Sequence, residues 1–312
     1  VAERERLARW AGAAGEGLLD VRDGASSPTA GTSLRCSVHI PSGSLAGRSF
    51  LLPHKAAAMS VLADDRVEVE FLLEQGYNAT DIFIASQQLF AAADALGLLE
   101  RPGAAAGPLA DKPDYLWQPS GFVARALPVA MRGIEGGRRP RVVDFGCGSG
   151  RDAAFAALAG CQVAAVDSAA PALVRAAAVA DAHGVGSEVV GLHLDLRKVS
   201  PAEALRAAEE ALGGKVDIVI GVRFLHRPLL EELPVLLRNQ GACVLWSHFS
   251  IPEGSCFDDF VAAHGHPSKR RDILNAGELE ALFASHGWDV ALSETQVLAD
   301  TRPLACVLAR RP

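Results

Sequence analysis

The sequence predicts an α/β protein built from two units, and three observations carry that prediction. The stretch RVVDFGCGSG (141–150) runs β-branched residues into Asp144, then places glycines at 146, 148 and 150 ahead of an Ala-rich helical segment. That order spells a strand, a tight turn and a helix N-terminus. Strand and helix signals alternate on both sides of it, over 17–96 and again over 141–246, as α/β proteins require. Between them LERPGAAAGPLADK (99–112) is rich in Pro, Gly and Ala and has no apolar period, so it reads as a linker. The expected division is 1–98, the linker 99–112, and 113–312, and a chain of 312 residues has length enough for two cores.

The first unit is read in order. Residues 4–10 make a short amphipathic start, and GLLDVR (17–22) is an apolar strand ending in a charged pair. His39-Ile-Pro41 and Leu52-Pro53 punctuate loops. Residues 58–62 form a second strand, 67–75 a helix closed by Gly76-Tyr77, 81–85 a third strand and 87–96 another helix. In that sequence of elements, L-L-D-V-R, H-I-P, L-P and the helix ending in G-Y resemble a rhodanese-like domain. The resemblance implies a catalytic cysteine in the loop after the second strand, but that loop reads ADDRV (63–67). Its two carboxylates would repel the anionic sulfur donors such loops cradle with backbone N–H groups. Cys36 lies ahead of H-I-P and is no substitute, so no sulfurtransferase activity is expected of this unit.

In the second unit, Tyr115, Trp117 and Phe122 sit beside two prolines in PDYLWQPSGF (113–122), a stiff aromatic segment followed by a helix over 123–133. The strand 141–145 and its glycine turn come next. The helix behind them stops at Gly160, and a second strand over 162–166 ends in Asp167, placed to accept from two ribose hydroxyls. The unpaired N–H groups of the first helical turn favour an electronegative group. The spacing G-x-G-x-G is not the G-x-G-x-x-G of nicotinamide-binding turns, and no phosphate-binding Lys follows it. D-F-G-C-G-S-G resembles motif I of the class I S-adenosylmethionine-dependent methyltransferases.

The resemblance covers about 115–310. It implies a Rossmann-like sheet of seven strands, the last antiparallel, with S-adenosylmethionine as cofactor and S-adenosylhomocysteine as product. Asp167 matches the family's acidic ribose ligand, Asp195 in HLDLRK (193–198) its adenine contact, and VDIVIG (216–221) its fourth strand. The cofactor-binding candidates are Asp144, Gly146, Cys147, Gly148, Gly150, Arg151, Asp152, Asp167, Ser168, Asp195, Leu196 and Val222, with Trp117 from the segment that often covers the methyl end. Tyr115 and Trp117 are candidates for such a lid, where an aromatic face stabilises a sulfonium; anchoring the linker to the core is the alternative. After a polar stretch over 247–271, a helix is expected over 275–286, capped at Asn275 with Glu278 three residues on, then strands over 288–292 and 304–309.

The acceptor is expected to meet the loops VRFLHRP (222–228) and SHFSIP (247–252), which bring Arg223, His226, Arg227 and His248 to the strand ends. Positive charge lowers a thiol pKa, and a histidine can take its proton near neutrality, which makes Arg223, His226 and His248 catalytic candidates. Structural ion pairs or satisfied loop histidines are the competing reading, strongest for Arg227. L-W-x-P-S, G-C-G-S-G-R-D-A, F-L-H-R-P-L-L and G-E-L-E-A-L-F together resemble the small-molecule branch that includes tellurite-resistance methyltransferases. That likeness implies methylation of a small thiol or a chalcogen anion. An amine or carboxylate acceptor, and a non-catalytic protein that binds S-adenosylmethionine, stay open.

Composition bounds these readings. With 49% hydrophobic and 21% charged residues the chain reads as a soluble globular protein, and no apolar run reaches the length of a membrane span. A net charge of −7 without a basic, aromatic-interleaved cluster disfavours nucleic acid as a partner. The 6 cysteines have no ligand-like spacing and His264-Gly-His266 has no partner cysteines, so no metal is expected. Unpaired cysteines suit a reducing intracellular compartment, the cytoplasm or an organelle, and the start at Val1 leaves room for a removed targeting segment.

Overall fold

The computed structural model describes residues 2–23, 29, 31–100, 115–132, 134 and 138–312. Two compact units meet in the sequence at Gln118/Pro119. Most of the expected linker, 101–112, lies outside the described residues. Its first two residues belong to the first unit, where Leu99 bridges Leu34 and the Glu100 N–H donates to Ser33 O. Tyr115 and Trp117 also fall with that unit, not with the glycine turn as expected.

The first unit comprises α1 (Ala2–Gly12), β1 (Gly17–Asp20), β2 (Ser37–His39), β3 (Met59–Ala63), α2 (Val67–Glu74), β4 (Ala79–Ile84) and α3 (Gln87–Ala95). Its sheet has the order β2-β1-β3-β4 and every pairing is parallel. β2 was not expected, because three residues reading S-V-H carry no strand signal of their own. Leu7 and Trp10 of α1 pack with Leu18, Phe83, Leu89 and Phe90. Arg22 is buried at the carboxyl end of β1, paired with Asp20 at 2.7 Å. Because β2 runs parallel to β3, Cys36 at the start of β2 lies at the sheet edge opposite the loop 63–67. Glu68, in the first turn of α2, accepts the Asp64 N–H of that loop at 2.7 Å, and burial with Asp64, Asp65 and Asp23 nearby raises its pKa.

The second unit opens with α4 (Gly121–Met131) and continues with β5 (Arg141–Phe145), α5 (Arg151–Leu158), β6 (Gln162–Asp167), α6 (Ala170–Ala182) and β7 (Val189–His193). Then follow α7 (Pro201–Ala211), β8 (Ile218–Val222), α8 (Arg227–Leu236), β9 (Cys243–Phe249), α9 (Phe257–His264), α10 (Glu278–Ser285), β10 (Asp289–Val297) and β11 (Pro303–Arg310). The seven strands lie in the order β10-β11-β9-β8-β5-β6-β7, with β11 antiparallel between β9 and β10 and the other pairs parallel. This is the Rossmann-like sheet expected, with the switch point between β5 and β8.

Alternate residues of each central strand face opposite layers. Val143 and Phe145, Val219, and Val244 and Trp246 meet α7, α8 and α10. Val142, Ile218 and Ile220, and Leu245 meet α4 and α5. Burial on both faces is why these strands read as unbroken apolar runs. β10, at the sheet edge, is instead mostly exposed.

Three boundaries differ from expectation. β9 extends through Ser247 and His248, because Ser247 pairs on two sides, with Val222 and Cys306, and His248 on one, with Ala305. α9 lies inside the polar stretch over 247–271, where no helix was expected. α10 begins at Glu278, not at Asn275: Gly277 is its N-cap with φ 71°, while the Asn275 N–H is held by the Glu278 carboxylate at 2.8 Å.

Candidate functional site

The carboxyl ends of β5 and β6 build the turn. The Gly146 and Cys147 N–H groups both donate to Val166 O, at 2.8 and 3.1 Å, and Gly150 N–H donates to Cys147 O at 2.8 Å. The Asp167 carboxylate takes Gly148 N–H at 3.0 Å and Ala169 N–H at 2.8 Å. Asp144 takes the N–H of Ala153. The Gly146, Cys147, Gly148 and Gly150 amides are therefore taken within the turn, and of the first turn of α5 the Ala153 N–H is taken by Asp144. What surrounds the turn is acid: Asp144, Asp152 and Asp167.

Burial, then the charges of Asp152 and Asp167, holds the Asp144 carboxyl well above the usual carboxylate range. Asp144 is 2% exposed, and its Oδ2 has no hydrogen-bond partner. Burial likewise pushes Asp152 to about 6, although the Ser120 N–H donates to it at 2.7 Å and Arg223 and Arg151 pull the other way. Cys147 is half-buried, and burial beside Asp144 and Asp167 raises its thiol, so it sits there as a neutral group.

One cleft of about 290 Å³ opens beside the turn, lined by Gly146, Asp167, Ser168, Asp195, Leu196 and Arg197 on one flank and by Arg223, Phe224, Leu225 and His226 on the other. Asp195 lies in the turn after β7 and not on the strand. Arg197 holds it through Nε at 2.8 Å and NH2 at 2.9 Å, and these bonds draw its pKa down to about 2. The Phe224 ring lies against Gly146: a Cβ there would come within 2.5 Å of it. Phe224 in turn leans on Trp246, with ring centroids 6.0 Å apart. Sequence reasoning gave the charged members of F-L-H-R-P a role and passed over Phe224 and Leu225, although an aromatic two residues past a strand end is itself a wall signal.

Arg223 and His226 thus share the cleft of Asp167 and Asp195, not a separate acceptor pocket. Arg223 has φ 52°, a left-handed conformation costly for a side chain with a Cβ, and its N–H donates to Ser247 O at 2.7 Å. His226 caps α8, its Nδ1 accepting the Leu229 N–H at 3.2 Å. With Nδ1 spent as an acceptor, the neutral ring carries its proton on Nε2, so it has no free lone pair with which to deprotonate a thiol. That corrects the general-base assignment.

His248 is 6% exposed and faces the α7–α8–α10 layer; its Nε2 bonds Asp272 O at 3.1 Å and burial drops its pKa to about 4. It fastens the turn Arg270–Asp272 and does not line the cleft. Arg227 is structural as well, pairing with Glu278 and donating to Ile273 O at 2.8 Å. Val222 is half-buried against the α4–α5 layer, and neither it nor Asp144, Cys147, Gly148, Gly150, Arg151 or Asp152 lines the cleft. In the first unit Tyr115 and Trp117 stack with centroids 4.5 Å apart, and Trp117 is 1% exposed.

On the α4 side, two more polar atoms are buried without a partner: Ser247 Oγ at the end of β9 and Gln296 Oε1 on β10. Gln296 touches the first residue of α4, since a Cβ on Gly121 would lie 3.1 Å from its Nε2. No cluster of three or more metal-ligating side chains occurs among the described residues, and none of their helices is long and apolar enough to cross a membrane.

No protein-family model matches the chain. The uncharacterized protein UNK4.09 of Schizosaccharomyces pombe is 26% identical, over 94% of this chain and 93% of its own length. Among solved structures, a SAM-dependent methyltransferase of Geobacter sulfurreducens in complex with S-adenosyl-L-homocysteine is 16% identical over 62% of this chain and 92% of that one, with a TM-score of 0.47. Magnesium protoporphyrin IX methyltransferase of Synechocystis PCC 6803, with the same compound bound, is 19% identical over 62% and 84%, with a TM-score of 0.43. At such scores these likenesses add nothing to the strand order already described.

Proposed function

We propose that the second unit binds S-adenosylmethionine and catalyses transfer of its methyl group to a small acceptor. The observation that carries this reading is the acidic surround of the turn, Asp144, Asp152 and Asp167, together with glycine-loop amides taken by Val166, Cys147 and Asp167. A diphosphate would meet carboxyl groups there, whereas a ligand carrying a sulfonium and an ammonium meets its complement. Gly148, on the open side of the turn with nothing within 4 Å of a Cβ built on it, leaves room for close approach. In this reading Asp167 takes the ribose hydroxyls, Asp195 and Leu196 the adenine, and Asp152, once ionised, faces the positive end. Bound, the cofactor supplies a methyl group made electrophilic by the sulfonium. The chain's part is to aim the acceptor in line and keep water away.

The resemblance to the tellurite-resistance branch supports a thiol or chalcogen anion as acceptor. Since His226 has no lone pair to offer and His248 is elsewhere, the reading narrows to groups that arrive already ionised, such as hydrosulfide or a selenium or tellurium oxyanion, ahead of methanethiol. A second reading rests on the unpartnered atoms of Asp144, Ser247 and Gln296. Each of these oxygens can accept, and Gln296 Oε1 can do nothing else, which favours a ligand that brings N–H groups, an amine. The test is S-adenosylhomocysteine release from S-adenosylmethionine with hydrosulfide, methanethiol, selenite, tellurite or a panel of amines. Turnover of the anions alone supports the first reading and of amines alone the second. Tight cofactor binding with no turnover of any acceptor overturns both in favour of a binding protein.

A further inference from the structure

The tautomer that disqualifies His226 as a base gives it a different use. Its Nδ1 is committed to the Leu229 N–H at 3.2 Å at the start of α8, and the same ring lines the cleft beside Asp195. The Nε2 end therefore offers the cleft a neutral N–H donor with a fixed direction. Of the other donors in that lining, Arg197 has Nε and NH2 tied to Asp195, and Arg223 is exposed at a strained backbone. Burial lowers the His226 pKa while Asp195 raises it, and a helix N-terminus disfavours a cation, so the ring stays neutral where it stands.

We propose that His226 is the donor half of a two-point reading of adenine, its Nε2–H donating to the ring nitrogen beside the exocyclic amine while Asp195 accepts from that amine. This rests on the S-adenosylmethionine reading above. A carboxylate and an N–H donor side by side match adenine, whose amine donates and whose flanking nitrogens accept. They mismatch a base with an oxo group in place of the amine, which would set oxygen against carboxylate. His226 is then a specificity-determining residue for the cofactor, and it holds that role only while it caps α8, so the fold of the helix and the choice of base share one side chain.

The test uses the full chain and calorimetric Kd values for S-adenosylhomocysteine and its 1-deaza and 7-deaza analogues, each lacking one candidate nitrogen. The wild type should bind one of the two analogues about 3- to 10-fold more weakly than the parent, the range for one neutral hydrogen bond. His226→Asn keeps an N-cap of equal quality, and its shorter side chain leaves the remaining amide donor out of reach of the base. It should leave the unfolding midpoint in place, weaken the parent by the same factor and leave the affinity of that analogue unchanged. Equal affinity of the wild type for all three ligands overturns the proposal, and so does an equal loss for all three in His226→Asn. A wild type that binds none of them refutes the S-adenosylmethionine reading itself, and this inference with it.

Discussion

Gly150 and Gly148 sit two residues apart in the same turn, and the structure assigns them opposite failures. Gly150 has φ 75°, and a Cβ built on it would lie 2.4 Å from Ala176 Cβ and 2.6 Å from Ala176 Cα, part of the α6 backbone that cannot swing aside. Gly150→Ala therefore meets left-handed strain of roughly 1–2 kcal/mol and overpacking of roughly 1–3 kcal/mol. The second unit should lose about 2–5 kcal/mol of stability. Gly148 has φ 56° but nothing within 4 Å, so Gly148→Ala should cost only the strain, about 1–2 kcal/mol. Its new methyl instead occupies the space a ligand needs, so cofactor affinity should fall at least 10-fold in a protein that still folds. Urea unfolding followed by tryptophan fluorescence, with calorimetry of S-adenosylhomocysteine binding, reads both quantities. If Gly148→Ala binds like the wild type, the open side of the turn is not the ligand's side. If Gly150→Ala is as stable as the wild type, the helix contact has been misjudged.

Asp167→Ala should weaken cofactor binding by roughly 1.5–3 kcal/mol, the range for a hydrogen bond to a charged group, and unchanged affinity would count against the whole cofactor assignment. His248 should stay neutral through mild acid: its folded pKa of about 4 lies below the ordinary 6.5, so the unfolded chain protonates first. The stability it contributes is whole above about pH 6.5 and is lost as pH falls to about 4, roughly 3 kcal/mol in all; unfolding curves for His248→Gln should show a shallower acid slope, and an identical slope would refute it. Asp152, raised to about 6, is the reverse case, its stabilising contribution fading as pH rises through that value. A cationic ligand needs its ionised form, so affinity for S-adenosylmethionine should climb between about pH 5 and 7, by up to about 10-fold per unit, and Asp152→Asn should flatten the climb. A flat wild-type profile would remove Asp152 from the ligand's surroundings.

Much of the second unit was legible because its signals are local. β-branched runs, spaced glycines and an aspartate at a strand end are written within a few residues of one another, and they place Asp144, Asp167 and Asp195 at the carboxyl edge. Ser247 and His248 were misread because their strand character comes from neighbours 25 and about 60 residues away, Val222 on one side and Ala305 and Cys306 on the other. β2 was missed for the same reason: a three-residue strand exists only because β1 is there to pair with it.

By itself the sequence determined the order of strands along the second unit's chain and the acid-bearing glycine turn, since each depends on residue type at short range. The tertiary structure alone decided which groups share a cleft and in what state of protonation. It turned His226 from a base into a donor by pairing Nδ1 with Leu229, and it withdrew His248 into a layer of the core. It also committed the Gly146, Cys147 and Gly148 amides to Val166 and Asp167. Hydrogen-bond partners and solvent exposure are properties of residues brought together across the chain, and they set what a titratable side chain can do.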